Sequence, residues 1–346
     1  MTTRRNAAHI PTGREPPGAH AFRGHRSRAL MLAVAAVFTV GIIAAVGALV
    51  SHASALTNCA TTLSACHFPN AANTGVPAGT VLKTVPGQVS SGPGWSYNAT
   101  DKAVIVTVNG TVLSDLYIPY NLEIDASNVT VKNVEVVTGG NFGISLTHTT
   151  GVTIEDSTIS GQNLTSGRVN SAIDDVYGDS TGIVIEDNNI SRFRTGVQVS
   201  AGLIADNYIH NPGYIHGDHT NGIYVGGTTK PLMIYGNTIF NDLGQTDDIS
   251  LDASRSGQDV ANKIVVDNLL AGGGYSIYGG GARHDRTSNI VIEYNEFGRL
   301  YYPKGGRYGP VAYFNLRQAG NVWSGTSPSG QAAEVPATPP GSAVVG

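Results

Sequence analysis

Short stretches of alternating apolar and polar residues recur along the chain from residue 128 onwards. They occupy residues 128–136, 151–159, 182–190, 202–209, 231–239, 263–270 and 289–297. Alternation with a period of two residues is typical of a β-strand that buries one face. The stretches return about every 20 to 30 residues, which is the range of solenoid repeats, and no repeat carries a helical pattern. The pattern therefore predicts an all-β solenoid.

A second recurring strand is predicted between these stretches. It occupies residues 142–146, 171–175, 195–199, 221–225, 247–251 and 275–279. Two strands and a turn-linked third strand would form a triangular coil. Stacked coils would then form parallel sheets in which neighbouring strands lie about 4.8 Å apart.

One asparagine recurs at the same repeat position in successive coils. The members of this series are Asn188, Asn207, Asn237, Asn268 and Asn295. Stacked Asn side chains can form hydrogen bonds along a ladder and satisfy the amides of a tight bend. Asparagine is also common in isolated turns, but five residues in register favour a ladder.

Alignment of the second strands sorts their side chains by face. The column predicted to point inward is Ile144, Ile173, Val197, Ile223, Ile249 and Ile277. The column predicted to point outward directly after it is Ser145, Asp174, Gln198, Tyr224, Ser250 and Tyr278. A second outward column, two positions before the aliphatic one, is Phe142, Ser171, Thr195, Asn221, Asp247 and Tyr275. Because Asp252 lies two residues beyond Ser250, we expect Asp174, Tyr224, Asp247 and Asp252 to share one outer face.

Composition agrees with this fold and excludes some functions. Charged residues make up 13% of the chain, below the usual quarter, and the 44 glycines follow no collagen period. The net charge of −4 and the pI near 6.2 leave no basic footprint. Nucleic acid is therefore not an expected partner.

The two ends of the chain lack the repeat. Residues 1–55 combine a basic leader, an uncharged apolar run at 29–50 and a small-residue cleavage site ending at Ala55, which predicts a signal peptide. The apolar run is also long enough to stay as an uncleaved membrane anchor. The other predicted parts are an N-terminal cap at 56–100 with a Cys59–Cys66 disulfide, the β-helix at 101–323 and a flexible tail at 324–346.

The repeats, the Asn series and the segment Asn-Thr-Gly-Val-Pro-Ala-Gly-Thr at residues 73–80 resemble the secreted bacterial members of the pectate-lyase-like superfamily. The resemblance covers residues 70–325 and implies a single-domain, right-handed parallel β-helix. Proteins with this fold include lyases, hydrolases, epimerases, esterases and phage-type adhesins. The activity must therefore be inferred from the site residues.

Loops on both sides of the predicted outer face supply further candidates, and Lys304 and Arg307 lie in a Gly-rich loop nearby. The candidate catalytic residues are Asp174, His216, Asp218, His219, Tyr224, Asp247, Asp252, Arg283 and His284. Aromatic rings and cations beside carboxylates suit a carbohydrate site, because cations bind uronate carboxylates. Asp247 and Asp252 could also hold Ca²⁺, which takes oxygen ligands.

These residues favour an enzyme that cleaves an acidic extracellular polysaccharide by β-elimination. Arg283, or Ca²⁺ held by Asp247 and Asp252, would neutralise the uronate carboxylate, His216 or His219 would be the base, and Tyr224 the acid. A glycoside hydrolase would instead use two carboxylates among Asp174, Asp218, Asp247 and Asp252. An epimerase and a non-catalytic glycan-binding or adhesion protein are further alternatives. We expect a monomer, secreted from a bacterium, with no cofactor other than this Ca²⁺.

Overall fold

The computed structural model describes residues 63–162, 168–251, 259–280, 287–314, 320, 322–324 and 327–328. In this part of the chain one short 3₁₀ helix, Leu63–Cys66, precedes thirty β-strands. The strands before the repeats are β1 (Lys83–Thr84), β2 (Ser91–Gly92), β3 (Trp95–Asn98) and β4 (Ala103–Val106).

The repeats supply three strands to each coil. The first four coils contain β5 (Val112–Ser114), β6 (Leu116–Ile118), β7 (Asn121–Ile124), β8 (Thr130–Lys132), β9 (Glu135–Thr138), β10 (Phe142–Leu146), β11 (Thr153–Glu155), β12 (Thr158–Gly161), β13 (Val169–Asp175), β14 (Val184–Glu186), β15 (Asn189–Ser191) and β16 (Phe193–Gln198). The next four coils contain β17 (Gly202–Ala205), β18 (Tyr208–His210), β19 (Asn221–Val225), β20 (Leu232–Tyr235), β21 (Thr238–Asn241), β22 (Asp247–Leu251), β23 (Val260–Val266), β24 (Leu269–Gly272), β25 (Tyr275–Tyr278), β26 (Thr287–Glu293), β27 (Glu296–Phe297) and β28 (Gly309–Ala312). The last strands are β29 (Val322–Ser324) and β30 (Ser327–Pro328).

The strands stack into three sheets because every third strand joins the same sheet. Sheet A runs β1-β6-β9-β12-β15-β18-β21-β24-β27-β30, sheet B runs β2-β3-β4-β7-β10-β13-β16-β19-β22-β25-β28, and sheet C runs β5-β8-β11-β14-β17-β20-β23-β26-β29. All pairings are parallel except β2–β3 and β3–β4 at one edge of sheet B. Each coil passes through sheets C, A and B in turn. The predicted parallel β-helix is therefore confirmed.

Stacked aliphatic side chains fill the interior of the coils. The predicted inward column of sheet B is in register from Ile144 to Ile277, and every member is fully buried. This column belongs to one continuous core that all three sheets line. Burying each such side chain contributes about 1.5–3 kcal/mol to stability.

The predicted Asn ladder is present at the bend between sheets C and A. The amide of Asn207 donates to the carbonyls of Ile185 and Ala205 at 2.9 and 2.8 Å, and to the side-chain oxygen of Asn237 at 2.9 Å. Its own oxygen accepts from the backbone N–H of Asn188 at 3.0 Å. The same pattern repeats through Asn268 to Asn295, so each coil is bonded to the next inside the bend.

Small residues form a tight inward column where sheet B meets sheet A. The column contains Gly143, Ala172, Gly196, Gly222, Asp248 and Ser276. A Cβ at Gly196 would lie 2.7 Å from the Ile209 methyl of sheet A, which explains the absence of a side chain. Asp248 is the exception: it is fully buried there, and this burial raises the pKa of its carboxyl well above the usual value.

Another charged side chain points into the interior from sheet C. Lys263 is in register with Leu232 and Ile290, two buried core residues, and is itself fully buried. Its ammonium donates to the carbonyl of Lys230. Burial lowers the pKa of Lys263 from 10.5 to about 8, and the neighbouring charge of Lys230 adds to this effect.

The segment before β1 lies along the outer face of sheet A. Phe68 packs on Phe240 and Leu269, while the Gly75 N–H donates to the Asp187 carbonyl at 2.8 Å. The chain then reaches the far edge of the solenoid, where β1 pairs with β6 and β4 pairs with β7.

Several predicted features lie outside the described residues: the signal segment 1–55, Cys59 of the Cys59–Cys66 disulfide, and the tail from residue 329 onwards. They remain predictions. Among the residues that the structure describes, no helix is long and apolar enough to cross a membrane.

Candidate functional site

One column of side chains runs along the whole outer face of sheet B. The strand register links Ser96, Ile105, Glu123, Ser145, Asp174, Gln198, Tyr224, Ser250, Tyr278 and Ala312. These residues alternate with the buried aliphatic columns, so they face outward. We call this set the outer column. It contains Asp174, Tyr224 and Tyr278 on one face, as the sequence predicts.

Asp174 is a buried carboxyl on this face. Burial raises the pKa of Asp174, and the charge of Asp175 raises it further. The Ser171 hydroxyl and the charge of Arg194 act in the opposite direction but do not cancel the effect of burial. Ser171 can reach Asp174 because the two buried residues between them, 172 and 173, both turn inward. The second predicted outward column therefore lies beside the first at this point.

Asp175 explains the break in the apolar pattern at residues 174–175. It is in register with the core residue Leu146, and its carboxylate accepts a hydrogen bond from the Ser180 N–H at 3.2 Å. Asp175 thus holds the turn after β13. Asp174 is the member of the pair that belongs to the outer column.

Asp218 is fixed by an arginine from another coil. Arg168, just before β13, donates from Nε and Nη2 to both carboxylate oxygens of Asp218 at 2.7 Å. The Ile215 N–H donates to the same carboxylate at 3.0 Å. Burial alone would raise the pKa of Asp218, but the Arg168 and Ile215 hydrogen bonds and the charge of Arg194 hold that pKa below its usual value.

Arg194 connects the two carboxyls electrostatically. Its charge acts on both Asp174 and Asp218, so it lies near both. The side chain is half-buried, and in the described part of the chain its Nε–H has no hydrogen-bond acceptor. Buried N–H groups nearly always have a partner. Arg194 is therefore a donor that a bound anionic group could use after a small side-chain movement.

The two histidine candidates lie on the loop that carries Asp218, and Tyr224 follows that loop. His216 and His219 lie on loop 211–220 with Asp218, and both are exposed. The loop ends where the Asn221 side chain donates to the His219 carbonyl at 3.3 Å. Tyr224 follows on β19 and is half-exposed in the outer column. The structure thus places Asp174 and Tyr224 two coils apart in the outer column, and it places Asp218 and His219 on the loop that leads into the strand of Tyr224.

Asp247 lies farther along sheet B and is covered. Its side chain has no exposed surface. Burial raises the pKa of Tyr278 strongly, and the charge of nearby Asp247 raises it further. Tyr275 and Tyr308 pack in the same region with ring centroids 5.9 Å apart. The Asp247 carboxylate therefore does not face the solvent.

Three predicted site residues, Asp252, Arg283 and His284, lie outside the described residues, so their roles remain predictions. The same holds for the Ca²⁺ site, since Asp252 is half of it. Among the described residues no group of three or more His, Cys, Asp and Glu side chains could hold a metal ion.

Sequence reasoning missed three residues of this face. Arg168 lies just before β13 and Arg194 lies at the start of β16, before the residues that the repeat pattern covers. Glu123 lies on β7, one coil before the first strand of the predicted series. Glu123 occupies the outer column two coils before Asp174, and burial followed by the charge of Asp101 raises its pKa. Extending the alignment by one coil would have found Glu123. The pairing of Arg168 with Asp218 had no sequence signal, because fifty residues separate them.

Comparison with known proteins adds no activity. No protein-family model and no curated protein matches the chain. Two solved structures that it resembles are the Agl-KA catalytic domain (13% identity, TM-score 0.43, 65% of this chain and 44% of that one) and the Dettilon tailspike protein (15% identity, TM-score 0.34, 65% of this chain and 54% of that one). The chain thus spans about half the length of the structures it matches. The assignment of the parallel β-helix fold depends on the three sheets of this chain and not on these resemblances.

Proposed function

We propose that this protein binds an acidic extracellular polysaccharide along the outer face of sheet B and cleaves it by β-elimination. The observation that carries the proposal is the group of Asp174, Arg194 and His219 on neighbouring coils. It combines a carboxyl with a raised pKa, an arginine with an unused donor, and an exposed imidazole. Elimination from a uronate needs these three kinds of group: an acid, a cation and a base.

Each residue has one role in the reaction. Arg194 binds the uronate carboxylate and neutralises its charge, which acidifies the proton on the neighbouring carbon. His219 takes that proton as the carbon–carbon double bond forms and the bond to the leaving oxygen breaks. Asp174 has a raised pKa, which favours its protonated form, and in this reaction it delivers a proton to the leaving oxygen. Asp218 and Arg168 position loop 211–220, and therefore His219.

Hydrolysis is the second candidate, and one observation favours it. The pKa of Asp174 is raised and that of Asp218 is lowered, and Arg194 acts on both. In glycoside hydrolases, the carboxyl with the raised pKa acts as the proton donor and the carboxyl with the lower pKa acts as the base. In this reaction Asp174 would protonate the leaving oxygen and Asp218 would activate water.

Product analysis tests the proposal. Residues 56–346 are incubated with a panel of uronate polymers, and the ultraviolet absorbance of the unsaturated sugar that elimination produces is followed. We expect a rise for at least one polymer. In Arg194→Gln the rate should fall by about 100-fold, which is typical for loss of one donor to a developing charge. Arg192→Gln removes an exposed arginine two residues away and should leave the rate unchanged.

The other outcomes contradict β-elimination in distinguishable ways. New reducing ends without unsaturated product would establish hydrolysis instead. Binding without either product would establish a non-catalytic glycan-binding protein. Wild-type rates in folded Arg194→Gln would remove Arg194 from the mechanism.

A further inference from the structure

The loop between β27 and β28, residues 298–308, combines tyrosines and cations without any acidic residue. It contains Arg299, Lys304 and Arg307 together with Tyr301, Tyr302 and Tyr308. We call it the basic tyrosine loop. The proposed reaction uses none of these residues, although the loop borders the same face of sheet B.

Backbone hydrogen bonds fix the basic tyrosine loop against the preceding coil. The Arg307 and Tyr308 N–H groups donate to the Gly273 and Gly274 carbonyls at 2.9 and 2.7 Å. The Tyr302 hydroxyl donates to the Asp242 carbonyl at 3.1 Å. The loop is therefore anchored to the preceding coil at three residues, which reduces the ordering that a ligand would have to impose.

Close packing on Gly244 also fixes the side chains. A Cβ at Gly244 would lie 2.7 Å from both the Arg307 Cδ and the Tyr302 hydroxyl. The Arg307 guanidinium lies 5.4 Å from the centre of the Tyr308 ring, a cation–π contact. Arg307 is thereby directed along the tyrosine surface.

Four tyrosine rings continue this surface across coils seven and eight. Tyr275 lies 5.9 Å from both Tyr278 and Tyr308, and Tyr278 lies 5.3 Å from Tyr313, as measured between ring centroids. Tyr308 is 57% exposed and Tyr275 is half-exposed. An ordered, exposed ring surface suits the apolar face of a sugar.

The charge on the loop selects the class of sugar. Lys304 and Arg307 are exposed, and within the described part of the chain neither forms a salt bridge. Two cations without carboxylate partners, beside exposed rings, complement a sugar that carries a carboxylate. A neutral glycan would use the rings alone.

We propose that the basic tyrosine loop, with Tyr275 and Tyr278, is a binding subsite for a uronate-type sugar of the polysaccharide, separate from the residues that cleave it. This inference rests on the proposed function and extends it. Tyr278 lies in the outer column four coils beyond Asp174, so the two residues are about 19 Å apart along the solenoid. A polymer lying along the solenoid axis would reach both places.

Affinity measurements on the folded protein test the subsite independently of cleavage. Calorimetric titration with a polyuronate, under conditions in which cleavage is negligible, should show that Tyr308→Ala and Arg307→Gln each weaken binding by about tenfold. Tyr294→Ala, which removes an exposed tyrosine of a sheet C turn, should bind as the wild type does. Gly244→Ala should weaken binding similarly, because its methyl group would displace the side chains of Arg307 and Tyr302, while every side chain that is proposed to contact the sugar is still present.

Salt dependence separates the charges from the rings. The wild-type affinity should fall as ionic strength rises, and Arg307→Gln combined with Lys304→Gln should lose most of that dependence. Equal affinity of the wild type, Tyr308→Ala and Arg307→Gln would overturn the subsite, even if the protein cleaves uronates. If the protein binds polyuronate through these residues but forms no unsaturated product, the subsite stands and the proposed elimination fails.

Discussion

Replacement of Asn207 by alanine would measure how much stability the Asn ladder supplies. The side chain is fully buried, and its removal takes one donor from each of the Ile185 and Ala205 carbonyls and leaves the Asn188 N–H without its acceptor. The Ala205 carbonyl keeps the Asp187 N–H at 3.3 Å, whereas the side chains of Asn188 and Asn237 also lose their bonds to Asn207. An unsatisfied buried group costs about 1–3 kcal/mol, and water entering the space left by the amide would recover part of that cost. We therefore expect Asn207→Ala to lower the free energy of unfolding by about 4 kcal/mol.

The expected loss is large enough to measure by thermal unfolding. For a domain of this size, about 1 kcal/mol corresponds to about 2–4 °C in Tm, so circular dichroism should show a fall of about 10 °C. The matched control is Asn262→Gly. Asn262 also bonds neighbouring coils: its amide donates to the Thr229 carbonyl at 2.8 Å and its side-chain oxygen accepts from Asn289 at 3.0 Å. It lies at a partly exposed position of β23, where water can replace these bonds. Glycine accepts its positive φ of 58°.

The control should lose less than about 1 kcal/mol. If Asn207→Ala melts within about 2 °C of the wild type, or no lower than Asn262→Gly, then the ladder does not stabilise the bend and the hydrogen-bond argument is wrong.

Three further predictions concern other parts of the fold. Lys263→Met should raise the free energy of unfolding at pH 7 by about 3 kcal/mol, because the pKa of Lys263 falls from 10.5 to about 8 on folding and this opposes folding while the lysine is charged. The gain should disappear as the pH approaches 10.5. A gain that does not vary with pH would contradict burial of the charge. Phe68→Ala should lower the free energy of unfolding by about 3 kcal/mol, since Phe68 is 1% exposed, and should speed proteolysis of the segment before β1 that lies on sheet A. Unchanged proteolysis would show that other contacts hold this segment. Asp218→Asn should break the bidentate contact with Arg168 and speed cleavage within loop 211–220 in limited proteolysis. A wild-type digestion pattern would mean that the ion pair does not hold the loop.

The fold can be predicted from the sequence because the same strand pattern recurs in successive coils. Alternation identifies the strands, and the recurrence of Asn188 to Asn295 at one repeat position identifies the bend at which each coil turns. Stacking in register then determines which residues share a face, so the repeat pattern by itself places Asp174, Tyr224 and Tyr278 in one column. Each of these conclusions depends on local pattern and on the fixed spacing of strands.

The site depends instead on loops of irregular length, which carry no periodic signal. The contact of Arg168 with Asp218 joins two different coils. Arg194 lies near the carboxyls of Asp174 and Asp218 because of the strand register at the start of β16, outside the repeated pattern. The burial of Asp247 depends on tyrosines that follow it by 28 residues or more. The outward position of Asp247 on a strand predicts an accessible carboxylate, whereas packing by later coils leaves it covered.

The central claim is that the outer face of sheet B is the functional face. A crystal structure of the protein soaked with a short uronate oligosaccharide tests this most directly. We expect sugar density on that face, with a carboxylate at Arg194 or at Arg307 and a ring against Tyr308. Density on the outer face of sheet A or sheet C, with sheet B empty at saturating sugar, would contradict the account.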